Sequence, residues 1–370
     1  MDDQNSILDR VITSKKTTEI EQFNPAEVVS TLFKNLTSRE EDVLRRRFGL
    51  AGKSKETLEE IGNTYSVTRE RVRQIENTAI AKIKNSKNFG STVNVIESTL
   101  LSVLEQQGSI MCEDSMLAEL LQVVGDNAVN RQNIIFIISE LLNTKFKPIK
   151  PTDQFKQSWR TTHAPLHLLE ETIASALEII KSNGKPSPIT DIIEKISKTE
   201  FYQNNQQQLS DNTIISYIEV SQQISRNPFD EYGLSEWGSI VPKRMNDKIF
   251  LVLKKHEKPM HFTEIADKIN QTKFDDRKAY PPTVHNELIL NSQYVLVGRG
   301  IYALKEWGYK PGVVAKVLLD IIKKNEGPMS RDGLVREVLN QRIVKKNTIH
   351  LALTDKTKFK RLSDGNYDLA

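Results

Sequence analysis

The residues best suited to do chemistry lie in the decapeptide VTRERVRQIE, residues 67–76. Five of its ten positions are charged, with three arginines and two glutamates. In a DNA groove, arginine pairs with guanine, glutamine pairs with adenine, and glutamate accepts a hydrogen bond from the cytosine amino group. The same composition also occurs on solvated helices, where Glu70 would pair with Arg73 or Gln74. Spacing alone leaves both interpretations open.

Two helix starts precede this stretch. Thr37 with Glu40, and Thr57 with Glu60, have the spacing of capping boxes, in which each threonine and glutamate satisfy each other's backbone N–H groups. A tight turn then leads into a longer basic helix that begins near Thr68. A short helix, a tight turn and a basic helix predict a helix-turn-helix.

The spacing within the basic helix separates an inner face from an outer face. An apolar stripe at intervals of three and four is predicted to face the core: Val72, Ile75, Ala79 and Ile83. The remaining positions form the outer face at the start of the helix: Arg69, Glu70, Arg73 and Gln74. In a helix-turn-helix these N-terminal positions of the second helix enter the major groove.

The stretch LTSREEDVLRRRFGL, followed by TLEEIGNTYSVTRERVRQIENTAIAKIK, resembles region 4 of the bacterial sigma-70 family. In that family this module reads the promoter −35 element and docks on RNA polymerase. The resemblance implies that three residues read bases: Arg69, Glu70 and Gln74. It implies that five others hold or flank phosphates: Arg39, Arg47, Thr57, Arg71 and Arg73. Ile80, Ile83 and Asn63 depart mildly from the family pattern.

A complete sigma factor also needs an upstream domain, rich in aromatic residues, that melts the −10 element. About 25 residues precede the module, and their one aromatic residue is Phe23. We therefore expect that this chain does not act as a self-sufficient sigma factor.

The rest of the chain repeats a unit of three helices and a small hairpin. DEYGLSEWG and GIYALKEWG lie 70 residues apart, and weaker copies flank them. The predicted fold class is mainly α: a region-4-like helix-turn-helix followed by tandem winged helix-turn-helix domains with small β-hairpin wings. We expect Trp159, Trp237 and Trp307 to anchor cores beneath the wings. The predicted organisation is a flexible N-terminus (1–25), the region-4-like domain (26–87), and winged units at 92–162, 166–242, 243–309 and 310–370.

The winged unit at 243–309, which contains VGRGIYALKEWG, resembles the HARE-type helix-turn-helix domain, a family linked to DNA or protein contacts in transcription. Arg299, between two glycines at the predicted hairpin tip, is a candidate DNA contact or simply a solvated arginine. In the last unit a basic cluster precedes the third helix, and either phosphate binding or solubility would account for it. Its members are Arg342, Lys345 and Lys346.

Composition and charge restrict the function. The net charge is +4, but it is segregated: +4 over residues 36–87, −8 over 88–242 and +10 over 243–370. The one cysteine, the six scattered histidines and the lack of a glycine-rich phosphate loop argue against a metal site, a cofactor, a small-molecule substrate and an enzyme. No signal peptide or membrane segment is evident, so the predicted location is cytoplasmic, at the nucleoid.

Two hypotheses follow. In the first, the chain is a sequence-specific transcription protein that reads a −35-type element in double-stranded DNA and acts with RNA polymerase. In the second, it is a polymerase-associated adaptor whose domains bind proteins. Base reading requires Glu70 and Gln74, whereas docking on polymerase requires neither.

Overall fold

The computed structural model describes residues 24–122, 124–309, 312–325 and 327–370. Phe23 and most of the predicted N-terminal stretch 1–25 lie outside these residues. The chain divides into two compact units, Met1–Ser225 and Arg226–Ala370. Their described residues are mainly α-helical, with 17 α-helices and small antiparallel sheets, so the predicted fold class is confirmed. The limits of the individual winged units stay predictions.

The described part of the first unit opens with four helices: α1 (Pro25–Phe33), α2 (Ser38–Phe48), α3 (Leu58–Tyr65) and α4 (Arg69–Lys84). Both predicted capping boxes are confirmed, at the starts of α2 and α3. Each threonine hydroxyl accepts a backbone N–H bond and each glutamate carboxylate accepts the threonine N–H. These caps satisfy backbone donors that the first helical turn leaves open, and so they fix where each helix starts.

The next segment of the first unit contains α5 (Phe89–Gln106), β1 (Ile110–Cys112), α6 (Glu113–Leu121), α7 (Ala128–Phe136) with a π-helical turn at Ile137–Leu141, β2 (Phe146–Ile149) and β3 (Ser158–Thr161). The strands form an antiparallel sheet in the order β1–β3–β2. Trp159 on β3 is 2% exposed, and its indole Nε1 donates to Glu113 Oε2 at 2.8 Å. Its predicted role as a core anchor is confirmed.

The segment that follows contains α8 (Leu166–Asn183), β4 (Ser187–Pro188), α9 (Ile189–Ser197), α10 (Glu200–Asn205), α11 (Asp211–Val220), β5 (Ile224–Arg226) and β6 (Glu231–Leu234). Its helices come in the order expected of a winged unit, with the short α10 added between the second and third. α11 occupies the position of the third helix.

The second unit begins at Arg226 and so includes β6. After β6 it contains α12 (Met245–His256), β7 (Met260–His261), α13 (Phe262–Thr272), α14 (Pro281–Leu290), β8 (Tyr294–Gly298) and β9 (Ile301–Leu304). β9 pairs antiparallel with both β7 and β8. Arg299 and Gly300 connect β8 to β9, and Gly300 has a φ of 70°, a left-handed conformation that glycine adopts without steric cost. The hairpin predicted around Gly-Arg-Gly is confirmed.

The last segment contains α15 (Val314–Asn325), α16 (Arg331–Gln341), α17 (Lys346–Ala352), β10 (Phe359–Arg361) and β11 (Tyr367–Leu369). β10 and β11 pair antiparallel, with Phe359 opposite Leu369. The helices pack around their own apolar core, in which Leu318, Leu334 and Ile349 are fully buried. Three helices and a hairpin are thus present here as predicted.

Candidate nucleic-acid interface

The turn between α3 and α4 sets the direction in which α4 leaves the domain. Ser66 ends α3 in the left-handed conformation with φ of 52°. The Thr68 hydroxyl caps α4 by accepting the backbone N–H of Arg71 at 3.2 Å. Gly62 lies against this turn, where an added Cβ would come 2.7 Å from the carbonyl oxygen of Val67. The close approach of α3 to the turn therefore depends on a residue without a side chain.

The inner face of α4 is packed as the spacing predicted. Three of the four predicted core residues are 0% exposed: Val72, Ala79 and Ile83. The fourth, Ile75, is half-buried. Lys82 of α4 also donates to the Glu40 carboxylate of α2 at 2.6 Å. This hydrogen bond is the main reason that the pKa of Glu40 lies below its ordinary value. α4 is thus held against α2 by apolar packing and by a charged hydrogen bond.

The outer face of α4 begins with a cluster of exposed polar side chains. All three predicted base-reading residues, Arg69, Glu70 and Gln74, are exposed. The Arg73 guanidinium donates two hydrogen bonds to the Glu70 carboxylate, at 2.9 and 2.7 Å, and lowers the pKa of that carboxyl. Arg71 donates to Gln74 Oε1 at 3.1 Å. Two side-chain pairs thus occupy this surface.

Both pairs can be exchanged for contacts with DNA. The side chains of Arg73 and Glu70 are 55% and 57% exposed, and exposed ion pairs contribute little to stability. A base edge or a phosphate can therefore replace either partner at small cost. The Glu70–Arg73 pair of the solvated-helix interpretation is present, and the same geometry leaves Glu70 accessible for base reading.

Four of the five predicted phosphate residues are exposed: Arg39, Thr57, Arg71 and Arg73. The Arg39 guanidinium lies 4.9 Å from the centre of the Tyr65 ring, and the Tyr65 hydroxyl donates to Asp42 at 2.6 Å. A tyrosine fixed in this way holds Arg39 beside the helix-turn-helix through a cation–π contact.

Thr57 and the half-buried Arg47, the fifth predicted phosphate residue, also serve the fold. The Thr57 hydroxyl lies 2.9 Å from Glu60 Oε2 as part of the capping box of α3. Arg47 donates to the backbone carbonyl of Glu56 at 3.2 Å, and its Nε lies 3.7 Å from the Glu76 carboxylate. Substitutions at Thr57 or Arg47 would therefore change the fold as well as any DNA contact.

A recess at the turn adds a residue that the sequence reasoning did not assign to the interface. Its lining combines the end of α3 with the start of α4: Gly62, Asn63, Ser66, Val67, Thr68 and Arg71. Asn63 is exposed there, with an amide that both donates and accepts. Asn63 directly follows Gly62, the glycine that lies against the turn, and this position in the sequence could have indicated that Asn63 lies beside the turn.

The apolar side of the helix-turn-helix is covered by the neighbouring segment of the first unit. Phe136 of α7 is 1% exposed, and its ring centre lies 6.0 Å from that of Phe33 and 4.9 Å from that of Phe48. Asn133 of α7 donates to the backbone carbonyl of Leu50 at 3.2 Å. The two segments share one hydrophobic core. α7, the third helix of its segment, therefore faces protein and not a groove.

The third helix of the next segment is packed in a similar way. Tyr217 of α11 is 1% exposed, and its hydroxyl donates to the carbonyl of Gly108 at 2.8 Å. Ser216 donates to the carbonyl of Ile110 on β1 at 2.7 Å. Sequence reasoning did not predict either packing, because an apolar pattern indicates burial and does not identify the partner.

The basic residues of the second unit divide into accessible and buried ones. Arg299 is exposed at the hairpin tip, and Lys345 and Lys346 are exposed at the start of α17. Arg342 departs from the prediction of a DNA contact, since it is 5% exposed and burial lowers its pKa. A guanidinium in this position faces protein, because the segment after α16 packs beside the wing.

In the part of the chain that the structure describes, no three His, Cys, Asp or Glu side chains are grouped to hold a metal ion. Every helix in the same residues is too short or too polar to cross a bilayer. His285 stacks on Phe262 with ring centres 4.5 Å apart.

Comparison with known proteins identifies the helix-turn-helix. Residues 32–85 match the family model for sigma-70, region 4. RNA polymerase sigma factor SigA of Lactococcus lactis subsp. cremoris is 48% identical over 61 residues, which are 16% of this chain and 17% of that protein. The matched segment contains α2, α3 and α4 and both capping boxes, whereas the HARE-type resemblance of 243–309 stays a prediction. Residues 32–85 thus form a sigma-70 region 4 helix-turn-helix.

Proposed function

We propose that this chain binds double-stranded DNA through its region 4 domain, reads a promoter −35-type element and acts with RNA polymerase in transcription initiation. One observation carries the proposal: Arg69, Glu70 and Gln74 are exposed together on the first turns of a helix whose opposite face is fixed in the core. The relative that matches this segment is an RNA polymerase sigma factor by its name.

The chemistry of the exposed face suits the major groove. Arg69 can donate two hydrogen bonds to guanine, Gln74 can pair with adenine, and Glu70 can accept from cytosine. Arg39 and Arg71 flank these residues and supply the sequence-independent attraction to phosphates. A carboxylate among the arginines opposes purely electrostatic binding, and so Glu70 favours base reading over non-specific contact.

The proposed role is binding and not catalysis. It requires no cofactor and no small-molecule substrate, and it places the protein at the nucleoid, in the cytoplasm.

The experiment that tests base reading compares Gln74→Ala with Gln106→Ala in the full chain. Gln106 lies exposed on α5 and provides the same chemical change away from α4. Duplexes selected from a random library by the wild-type protein serve as the preferred site. Gln74→Ala should lose about 1–3 kcal/mol on that site and little on a scrambled duplex. Equal affinities of both variants for both duplexes would refute the proposal.

A second function is favoured by the packing of α7 and α11. Both are the third helix of a predicted winged unit, and both are packed against protein within the first unit. Residues 88–242 also carry a net charge of −8, which repels DNA. The winged segments of this stretch would then act as a polymerase-associated adaptor. Crosslinking of the protein across the genome, with and without rifampicin, distinguishes the two proposed functions. Peaks that share a −35-like motif support DNA reading, whereas motif-free peaks that follow polymerase support the adaptor function.

A further inference from the structure

Two basic segments of the second unit meet at the edge of the β8–β9 wing. The backbone N–H of Ile343 donates to the carbonyl of Val297 at 3.1 Å. A Cβ added to Gly298 would lie 2.6 Å from the carbonyl oxygen of Ile343. The N–H of Ile343 thus contacts Val297, and the carbonyl of Ile343, which comes later in the chain, contacts the next residue, Gly298. The two segments therefore run in the same direction at this point.

This direction brings separate cations together. Arg299 lies two residues beyond Val297, and Lys345 lies two residues beyond Ile343, each a distance of at most about 7 Å along the backbone. Lys346 follows directly. All three cationic side chains are exposed.

The surroundings of these cations contain no opposing charge from their own segments. Residues 288–305 and 338–354 include no Asp or Glu. The one other arginine of the two stretches, Arg342, is 5% exposed beside the junction. A surface of this kind attracts a polyanion along its whole length, and its lysines carry no base-specific geometry.

We propose that Arg299, Lys345 and Lys346 form one composite surface that binds the phosphate backbone of duplex DNA. The wing of one segment and the start of α17 in the next contribute to it jointly, and the Ile343–Val297 hydrogen bond holds them in register. Duplex DNA presents one charge per about 1.7 Å, so three neighbouring cations meet a matching row of phosphates. This contact goes beyond base reading by region 4 and does not depend on it.

The charge contribution is measured in the full chain on a duplex of random sequence. The triple variant Arg299→Ala, Lys345→Ala, Lys346→Ala should bind at least tenfold more weakly at low salt. Its slope of log affinity against log salt should be shallower by about 2–3, at about 0.9 per phosphate lost. A matched control removes three exposed lysines of α15 instead: Lys316, Lys323 and Lys324. Equal losses in both triple variants, or no loss in the first, would overturn the proposal.

The junction is tested by Gly298→Ala, which keeps every cation and adds a methyl group where the Ile343 carbonyl lies. The matched control is Gly327→Ala, where an added Cβ meets open space. Both variants are first compared with wild type by circular dichroism and thermal melting. Gly298→Ala should weaken binding to random duplex about fivefold or more, whereas Gly327→Ala should not. If a folded Gly298→Ala variant binds like wild type, the composite surface is wrong, and if it does not fold, the triple variants decide.

The sequence preference separates this inference from the proposed function. The triple variant should keep the wild-type ratio of affinities for preferred and scrambled duplexes, since Gln74 still reads bases. Gln74→Ala should lower that ratio and keep the salt slope. If the triple variant binds DNA normally but no longer captures purified RNA polymerase, the surface binds an acidic protein and the DNA inference fails.

Discussion

The substitution Phe136→Ala tests whether the region 4 domain depends on the segment that covers it. The ring is 1% exposed and contacts Phe33 edge-on and Phe48 at a tilt of 55°. Truncation of a buried phenylalanine to alanine costs about 3–5 kcal/mol, and the two ring contacts account for about 0.5–1.5 kcal/mol each. Because Phe33 and Phe48 belong to α1 and α2, much of this loss should reach the helix-turn-helix.

Hydrogen exchange with mass spectrometry on the full chain measures the loss where it occurs. A cost of 3–5 kcal/mol corresponds to exchange about two to nearly four decades faster for amides protected by the shared core. We expect this increase in α4 as well as in α7. Phe136→Leu keeps most of the apolar volume and should show a smaller effect, of about 1.5 kcal/mol or less. Phe250→Ala, in the second unit, should leave exchange in α4 unchanged.

The reasoning is contradicted if the substitution affects hydrogen exchange in α7 but not in α4. If α7 exchanges much faster in Phe136→Ala while α4 stays within threefold of wild type, the two segments fold independently. DNA affinity provides a second check, since Phe136 is buried in the shared core whereas Gln74 is exposed on α4. Under conditions where the variant is folded, it should bind the preferred duplex like wild type. A fragment that ends at residue 87 would expose Phe33 and Phe48 and is unsuited to DNA measurements.

Three further predictions concern the first unit. Gly62→Ala should destabilise it by about 1–3 kcal/mol and weaken DNA binding, because the added Cβ meets a backbone oxygen across the turn; thermal melting and anisotropy check both. The pKa of Glu40 is lowered when folded, so its contribution is present above the ordinary carboxyl range and is lost as pH falls through the folded value. Urea titrations from pH 7 to 3 should show this loss, and Lys82→Met should flatten it. Tyr217→Phe should cost about 1 kcal/mol in urea unfolding, since the Gly108 carbonyl loses its donor, and an unchanged midpoint would contradict the packing of α11.

Local signals in the sequence specify most of the region 4 domain. Threonine and glutamate three residues apart, and apolar residues every three or four positions, act within one or two helical turns. Such interactions do not depend on the rest of the chain, and so the starts of α2, α3 and α4 and the inner face of α4 were predictable. The outer face followed by elimination, since Val72 and Ala79 point inward.

Contacts between segments were not predictable in the same way. Phe136 stands in the apolar run NIIFIISELL, which indicates burial but is equally compatible with a core confined to its own segment. Arg342 shows the converse error. Its basic neighbours suggest an exposed cluster, but the path of the chain beside β8 buries its side chain. Charge patterns predict solvation only where packing between segments leaves the side chain outside.

The packing of α7 and α11 against protein is consistent with the negative net charge of residues 88–242. α11 contains two acidic residues and no cation, so packing it against protein removes no attraction for DNA. The one cation of α7, Arg131, donates to Asp126 at 2.5 and 2.7 Å and to Asp114 at 3.1 Å, and so its charge is compensated locally. The net charge of −8 over residues 88–242 repels a phosphate backbone, whereas the exposed arginines of α4 belong to residues 36–87, whose net charge is +4. In the proposed function, discrimination between bases by the described residues of the first unit would therefore depend on the first turns of α4, and the segment of α5–α7 would contribute by holding that helix in place through the shared core.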